Sequence, residues 1–451
     1  MSHALVRGDA RMVDDPLRAQ ALSYAAGCAL VVVAMVVHVV LVLARPGAAP
    51  EDAPILMARG SGALYVRVAD TVHPVLNLAS ARLVAGRPAD PVVVDDATVG
   101  RLQRGPTVGI AGAPAQIGAP LGLDEASWTL CDVTGSGESL LLVAAGEHGP
   151  RALPDGEAVL ASAHTLGAPT YLLADGRRAR VDLRDTAVVR ALRLEDVPVR
   201  RLSQSLLDSV PEVPALRAPV ITAVGSAGPP VLGGLTVGTV VQVARSGPTE
   251  FYLVLAGGLQ RISPVAADVI RFSTPQSASA PPVVPADVVA GLPIGDEVAV
   301  PRYPDRVRRP PAAVVCARWH SGPARRTAHT AVLVADSILE VAPGGGLHLA
   351  QADGEGPNID RVQVPAGRAV LVRPGGVTRE DAVAGPRYLL NDLGVLYGVR
   401  DDTAAQALGY AGAEIPAPWP MLSMLPRGPE LNRDAASITR DTLPGGRTEP
   451  S

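Results

Sequence analysis

The sequence predicts an α+β protein. It reads as a single N-terminal transmembrane helix followed by an extracytoplasmic region of four β-hairpin/helix repeats around a central β-rich core, with a pseudo-twofold duplication. Three observations carry this reading. One long stretch near the start has no formal charge, four tyrosine-led segments share one strand–turn–strand pattern, and two cysteines follow their hairpins at nearly the same interval.

The uncharged stretch runs from Ala21 to Ala44, 24 residues in which only Ser23, Tyr24 and His38 interrupt the apolar run. At about 1.5 Å per residue this length covers a hydrocarbon core about 30 Å thick. A cleaved signal peptide has a shorter apolar region, about 7–15 residues, so an uncleaved anchor is expected. Arg7, Arg11 and Arg18 precede the span, whereas only Arg45 follows it closely, ahead of Glu51 and Asp52. The arginine bias places the N-terminus in the cytoplasm and the rest of the chain outside the membrane on the opposite face. His38 is read as a neutral residue facing a partner helix rather than a proton relay, and Cys28 as a small packing residue within the span.

Beyond the anchor the hairpins open at Tyr65, Tyr171, Tyr252 and Tyr388. In each, an aromatic or branched strand enters a turn rich in Asp, Gly or Asn, such as Asp175-Gly176 or Gly257-Gly258, and a second short strand follows. A short helix comes next, announced by Asn77 before Leu78, Asp185 before Thr186, Ser263 with Pro264, and Asp402 before Thr403, with Gly409 as a stop after Leu408. A second apolar-periodic run then recurs at 96–102, 204–210, 286–292 and 421–425, closed by Pro or Gly. An isolated two-stranded hairpin is marginal in water, so the units are expected to pack on one another or on a shared core.

Tyr65 to Cys131 is 66 residues and Tyr252 to Cys316 is 64, and each cysteine has a tryptophan three positions away, Trp128 and Trp319. Equivalent positions of two pseudo-twofold halves can meet at their axis. Cys131 and Cys316 are also the only cysteines beyond the anchor, in a compartment that favours oxidation. A structural disulfide between them is therefore expected, closing about 185 residues for about 3–5 kcal/mol on the chain-entropy model.

The expected organisation is a cytoplasmic segment (1–20), the transmembrane helix (21–44), a linker (45–54), repeat 1 (55–117), the first half of the core (118–167), repeat 2 (168–218), a connector (219–248), repeat 3 (249–308), the second half of the core (309–384), repeat 4 (385–435) and a disordered tail (436–451). The stretch 273–285, rich in Ser, Ala and Pro, reads as a mobile loop.

Composition excludes several functions. All 40 basic residues are arginine, so a Walker-type phosphate loop, a Schiff-base lysine and a protein-kinase lysine are impossible. The net charge of −4 argues against a nucleic-acid partner. Gly and Pro number 46 and 43 against 13 aromatic residues, which leaves Val, Leu and Ala to build the cores. Arg177, Arg178 and Arg180 are the candidates for an anion contact and read as a solvated or inter-repeat face. Asp353-Gly354-Glu355-Gly356 lacks the alternating ligand pattern of a calcium loop and reads as a turn. No catalytic, cofactor-binding or metal-binding residue is predicted.

The chain resembles the EccB family, the single-span B component of the type VII (ESX) secretion system of high-GC Gram-positive bacteria. The resemblance rests on eight stretches in order: His3–Arg7 and Asp14–Arg18 before the span, Gly62–Arg67, His73–Leu83, Asp175–Leu183, Leu349–Gly354 with Gly356-Pro357, Ala417–Pro420, and Leu425–Leu431. It implies a structural subunit of the export complex in the inner (plasma) membrane. Its periplasmic region would be four repeats around a disulfide-closed core, present in several copies. The implied partners are the FtsK/SpoIIIE-like ATPase, the multi-span subunit and the remaining membrane components. Some family members carry an ATPase attribution, so ATP is a possible ligand by resemblance alone. The alternatives are an ATP-binding or ATP-hydrolysing component and a cell-wall-binding module. The second is weakened by few aromatics, with Tyr303, Trp319 and Trp419 expected to be buried. Family members usually carry a longer cytoplasmic segment before the motif that begins here at His3, so a late start codon or a shortened segment is expected.

Overall fold

A computed structural model describes residues 16–44, 52–144, 149–243, 248–274, 280–308, 312–321, 328–378 and 385–442. The motif at His3–Arg7, the flanking Arg7, Arg11, Arg45 and Glu51, residues 244–247 of the connector, residues 275–279 of the expected mobile loop and residues 443–451 of the expected tail lie outside them.

Helix Pro16–Ala44 contains the segment Gln20–Val40, which is long and apolar enough to cross a membrane, and none of that segment is buried in the protein. The helix begins five residues ahead of the uncharged stretch, at a proline, which suits a first helical position because its missing N–H would be unpaired there anyway.

The chain divides into two compact units. The smaller holds residues 16–44, 52–76, 89–108 and 439–442 of the described chain. Its sheet is ordered Thr439–Arg440, Thr107–Val108, Thr71–Val75, Leu64–Val68, Ile55–Ala58, Val92–Val94, with Gln103–Arg104 also pairing Thr71–Val75. Leu56, Ala58, Val72, Val94 and Val99 form its core. Helix Asp96–Arg101 is tied back to the first turn by Asp96, whose carboxylate accepts the Gly60 N–H at 2.7 Å.

The larger unit is built on a seven-stranded sheet ordered Arg151–Ala152, Ala328–Ala335, Val314–Ser321, Ala126–Val133, Ser139–Ala144, Arg361–Gln363, Leu347–His348. The two central strands bear the cysteines. Both faces of the sheet carry apolar clusters, one around the tryptophans and one around the cysteines.

One topology recurs around each tyrosine. A strand precedes the hairpin, so that three antiparallel strands form a meander: Ile55–Ala58, Leu64–Val68 and Thr71–Val75; Glu157–Ala163, Thr170–Ala174 and Arg177–Val181; Val240–Val243, Glu250–Val254 and Leu259–Ile262; Arg368–Gly375, Arg387–Leu390 and Leu396–Val399. A helix then returns the chain parallel to the first strand, through Val92–Val94, Arg200–Leu202, the bridge at Val283, and Glu414–Pro418. A second helix returns it parallel to the third strand, through Gln103–Arg104, Glu212–Leu216, Ile294–Gly295, and the bridges at Arg427 and Leu431. Both exposed edges of each meander are thus paired, which removes the liability of an open sheet edge.

The first helices carry the expected caps. Asn77 accepts from Ser80 N, Asp185 from Ala187 N and Val188 N, and Ser263 from Ala266 N, while Gly409 takes the left-handed conformation at φ 98°. The fourth cap differs by one residue. Asp401, not Asp402, is the cap and accepts the Ala404 N–H at 2.7 Å, because of two adjacent aspartates only the first has the extended backbone that aims its carboxylate at the helix N-terminus. The last of the second helices spans Trp419–Leu422, two residues earlier than the apolar run suggests.

Candidate functional site

The feature toward which the larger unit converges is the ladder between Ala126–Val133 and Val314–Ser321. Its antiparallel register sets Cys131 opposite Cys316 and Trp128 opposite Trp319. The two cysteines form a disulfide with Cα atoms 4.0 Å apart. Both are fully buried, against Leu140, Leu142, Leu333 and Val341.

Side chains three positions apart on a strand lie on opposite faces, so the tryptophans occupy the other side of the sheet. There they pack with Leu206, Leu207, Val370, Val372, Ile415 and Met421. Each indole N–H has a carbonyl partner: Trp128 Nε1 donates to Pro416 O and Trp319 Nε1 to Val377 O, both at 3.1 Å. Both acceptors belong to the stretch around the fourth meander. The central ladder is therefore hydrogen-bonded to the module that follows it.

Asp132 shares the tryptophan face. Its carboxylate accepts the Ser203 N–H at 2.5 Å and the Ser203 hydroxyl at 3.1 Å, and Ser203 Oγ caps helix Gln204–Asp208 by accepting from Leu206 N. Opposite Asp132 in the ladder stands Ser139, whose N–H and hydroxyl donate to Asp360 at 2.7 and 3.0 Å. Asp360 also accepts from Asp353 N and Gly354 N at 2.8 and 2.7 Å, which explains the turn at 353–356. Burial pushes the Asp132 carboxyl up to about 7; the Ser203 hydrogen bonds oppose this, and the Asp360 charge adds to it. The network joins a helix and a loop to the central strands beside the disulfide.

The arginines singled out from the sequence do not converge. Arg178 is 13% exposed, bound to Asp208 at 2.9 Å and Glu212 at 3.1 Å, and lies over the Tyr171 ring, while Arg177 and Arg180 point to solvent. Arg178 thus links the second meander to its closing helix and strand. Cys28 and His38 are exposed on the apolar helix. Among the described residues no group of three or more His, Cys, Asp and Glu is placed to hold a metal. Tyr303 and Trp319 are buried, as expected, but Trp419 is 39% exposed. It opens a helix at the surface, and its ring meets Tyr388 and the Arg427 guanidinium.

A family model described as type VII secretion system ESX-1, transport TM domain B, matches residues 1–445. The chain belongs to the EccB family. The ESX-3 secretion system ATPase EccB3 of Mycolicibacterium smegmatis is 35% identical over 96% of this chain and 87% of its own length. The ESX-5 secretion system ATPase EccB5 of Mycobacterium tuberculosis is 31% identical over 98% of this chain and 91% of its own length. Among solved structures, a chain of an intact ESX-5 inner membrane complex superposes with a TM-score of 0.76 at 29% identity, covering 100% of this chain and 94% of that one. A chain of the EccB3 dimer from the ESX-3 core complex gives 0.72 at 33% identity, over 86% and 100%. The match to the ESX-5 chain spans the whole of this chain, the segment of the apolar helix included.

Proposed function

We propose that this chain is a structural, membrane-anchored subunit of a type VII (ESX) secretion complex in the inner membrane. Its N-terminus lies in the cytoplasm and the region from Asp52 onward on the periplasmic side, where four meander modules and the disulfide-closed sheet support assembly of the export channel. The observation that carries the proposal is the correspondence over the full chain with a subunit of a solved ESX-5 inner membrane complex. The arginines before the apolar segment and the disulfide favour the same orientation, since disulfides persist in oxidising compartments. The Cys131–Cys316 bond acts as a structural staple, holding together strands 185 residues apart in sequence. Its partners in the complex are the FtsK/SpoIIIE-like ATPase, the multi-span subunit and further copies of this chain.

The related proteins carry the word ATPase in their names. In this chain a Walker-type cradle has no lysine to complete it, and Arg178, the best-placed arginine of the candidate trio, is committed to Asp208 and Glu212. These features support the scaffold reading over nucleotide hydrolysis.

Deleting the gene tests the proposal. The culture filtrate should lose the substrates of the type VII system, the full chain should restore them, and a chain lacking residues 16–44 should not. A filtrate unchanged by the deletion would overturn it.

A further inference from the structure

Two of the chain's eight histidines meet on adjacent strands of the central sheet. His320 and His329 stand directly opposite each other in the antiparallel ladder between Val314–Ser321 and Ala328–Ala335, one register short of its last pair, Ser321 and Ala328. Both residues are exposed, and their ring centres lie 5.5 Å apart with 27° between the planes. Side chains alternate across a strand, so His320 shares the face of Cys316 and stands four residues beyond it.

The backbone beneath the pair is fixed before any ligand arrives. Strand Val314–Ser321 is paired with Ala328–Ala335 on one side and Ala126–Val133 on the other, and the Cys131–Cys316 disulfide ties it to the latter. Two side chains on such a frame give up little beyond their own rotamer freedom when they capture one ion. The spacing suits a shared metal. At a metal–nitrogen distance of about 2.0–2.1 Å, two imidazoles on one ion place their ring centres roughly 4.5–5.5 Å apart for bond angles between about 90° and 120°. The observed separation falls at the wide, near-tetrahedral end of that range. The stacked planes need a turn about χ2 to aim both nitrogens at one point, and that torsion is broad for histidine.

The electrostatics keep a lone pair available. Partial burial holds the His320 ring below the ordinary histidine range, and the neighbouring His329 and Arg318 act in the same direction. Arg318 lies two positions before His320 on the same face, where its Nε donates to the Thr129 hydroxyl at 3.3 Å. A neutral imidazole can ligate a metal, whereas a protonated one cannot. Among the described residues no third His, Cys, Asp or Glu completes the set, so a bound ion keeps positions open for water and exchanges readily. Imidazole nitrogens suit zinc and its neighbours in the first transition row, not magnesium or calcium, which take oxygen. We infer that His320 and His329 form an exchangeable zinc site that bridges the two strands on the disulfide face of the central sheet.

The test uses the full chain in detergent, purified through a tag without histidine and stripped of metal with a chelator. Zinc chloride should protect His320 and His329 from diethylpyrocarbonate at least fivefold, read residue by residue by mass spectrometry, and should leave the exposed His348 unprotected. Magnesium chloride should protect none of the three. Zinc should also raise the thermal unfolding midpoint, since an ion that binds only the folded chain stabilises it. His320→Ala and His329→Ala should each cut that rise at least fivefold, with circular dichroism before zinc addition confirming that the variants fold, and His348→Ala should leave it unchanged. Lowering the pH from about 7.5 to about 5.5 should remove the rise, because protons compete for the same nitrogens. Equal modification of His320 and His329 with and without zinc would overturn the inference. So would a thermal rise of full size in the His320→Ala, His329→Ala double variant, which would place the ion on other groups of the chain.

Discussion

Trp128 and Trp319 stand directly opposite each other across two antiparallel strands, and both donate their indole N–H to carbonyls of the same neighbouring module. Replacing Trp128 by Ala should cost about 3–5 kcal/mol, because it empties a fully buried site and removes the indole donor to Pro416 O. Trp128→Phe retains most of the ring and should cost less. Guanidinium unfolding of the detergent-solubilised chain, followed by near-ultraviolet circular dichroism, reads the difference.

The disulfide on the opposite face closes a long loop. Replacing both Cys131 and Cys316 by Ala should destabilise the chain by about 3–5 kcal/mol, the loop entropy regained by the unfolded state. Peptide mapping without reductant should recover the two residues in a single cross-linked peptide from protein isolated from its native membrane. Unfolding of the double variant at the wild-type denaturant midpoint would show that the sheet holds without its staple.

The second meander meets the central sheet at a glycine. Gly176 sits at φ 69°, and a Cβ added there would lie 1.8 Å from the Thr330 carbonyl oxygen. Gly176→Ala should therefore destabilise by well over the ~1 kcal/mol of left-handed backbone strain alone. Gly167→Ala, at φ 76° with nothing within 4 Å, should show only that strain. Thermal unfolding of the pair separates close approach from conformation.

Asp132 sets a pH dependence. Its carboxyl is raised from 3.8 to about 7 in the fold, mainly by burial, so the folded state binds a proton that the unfolded state does not between those values. The contribution is fully present below about pH 4 and is lost as pH rises through about 7. Attributable to this residue, the chain should unfold at a higher denaturant concentration at pH 6 than at pH 8. Asp132→Asn, neutral throughout, should flatten that part of the profile.

Much of this fold was legible in the residues, and the gaps have physical causes. The hairpins announced themselves because alternation and turn chemistry are local: Asp175 and Gly176, both at positive φ, make the two-residue turn their dipeptide suggests. The spacing of Cys131 and Cys316 also pointed to a meeting that the ladder places in direct register. What the sequence hid were the pairings made at a distance. Strands such as Ile294–Gly295 or the bridge at Val283 are too short to show a period and exist only because a sheet edge waits for them. The Asp132–Ser203 and Ser139–Asp360 pairs join residues 71 and 221 positions apart, and no local pattern marks a buried carboxylate. Trp419 was misjudged for the same reason. An isolated tryptophan carries no sign of which face it will take.

The most direct test of the central claim is extraction of the tagged full chain from its native membrane in mild detergent, followed by native electrophoresis and mass spectrometry of the band. The account predicts one large species containing several copies of this chain together with an FtsK/SpoIIIE-like ATPase and a multi-span subunit. Migration of the chain by itself, with neither partner, would contradict it.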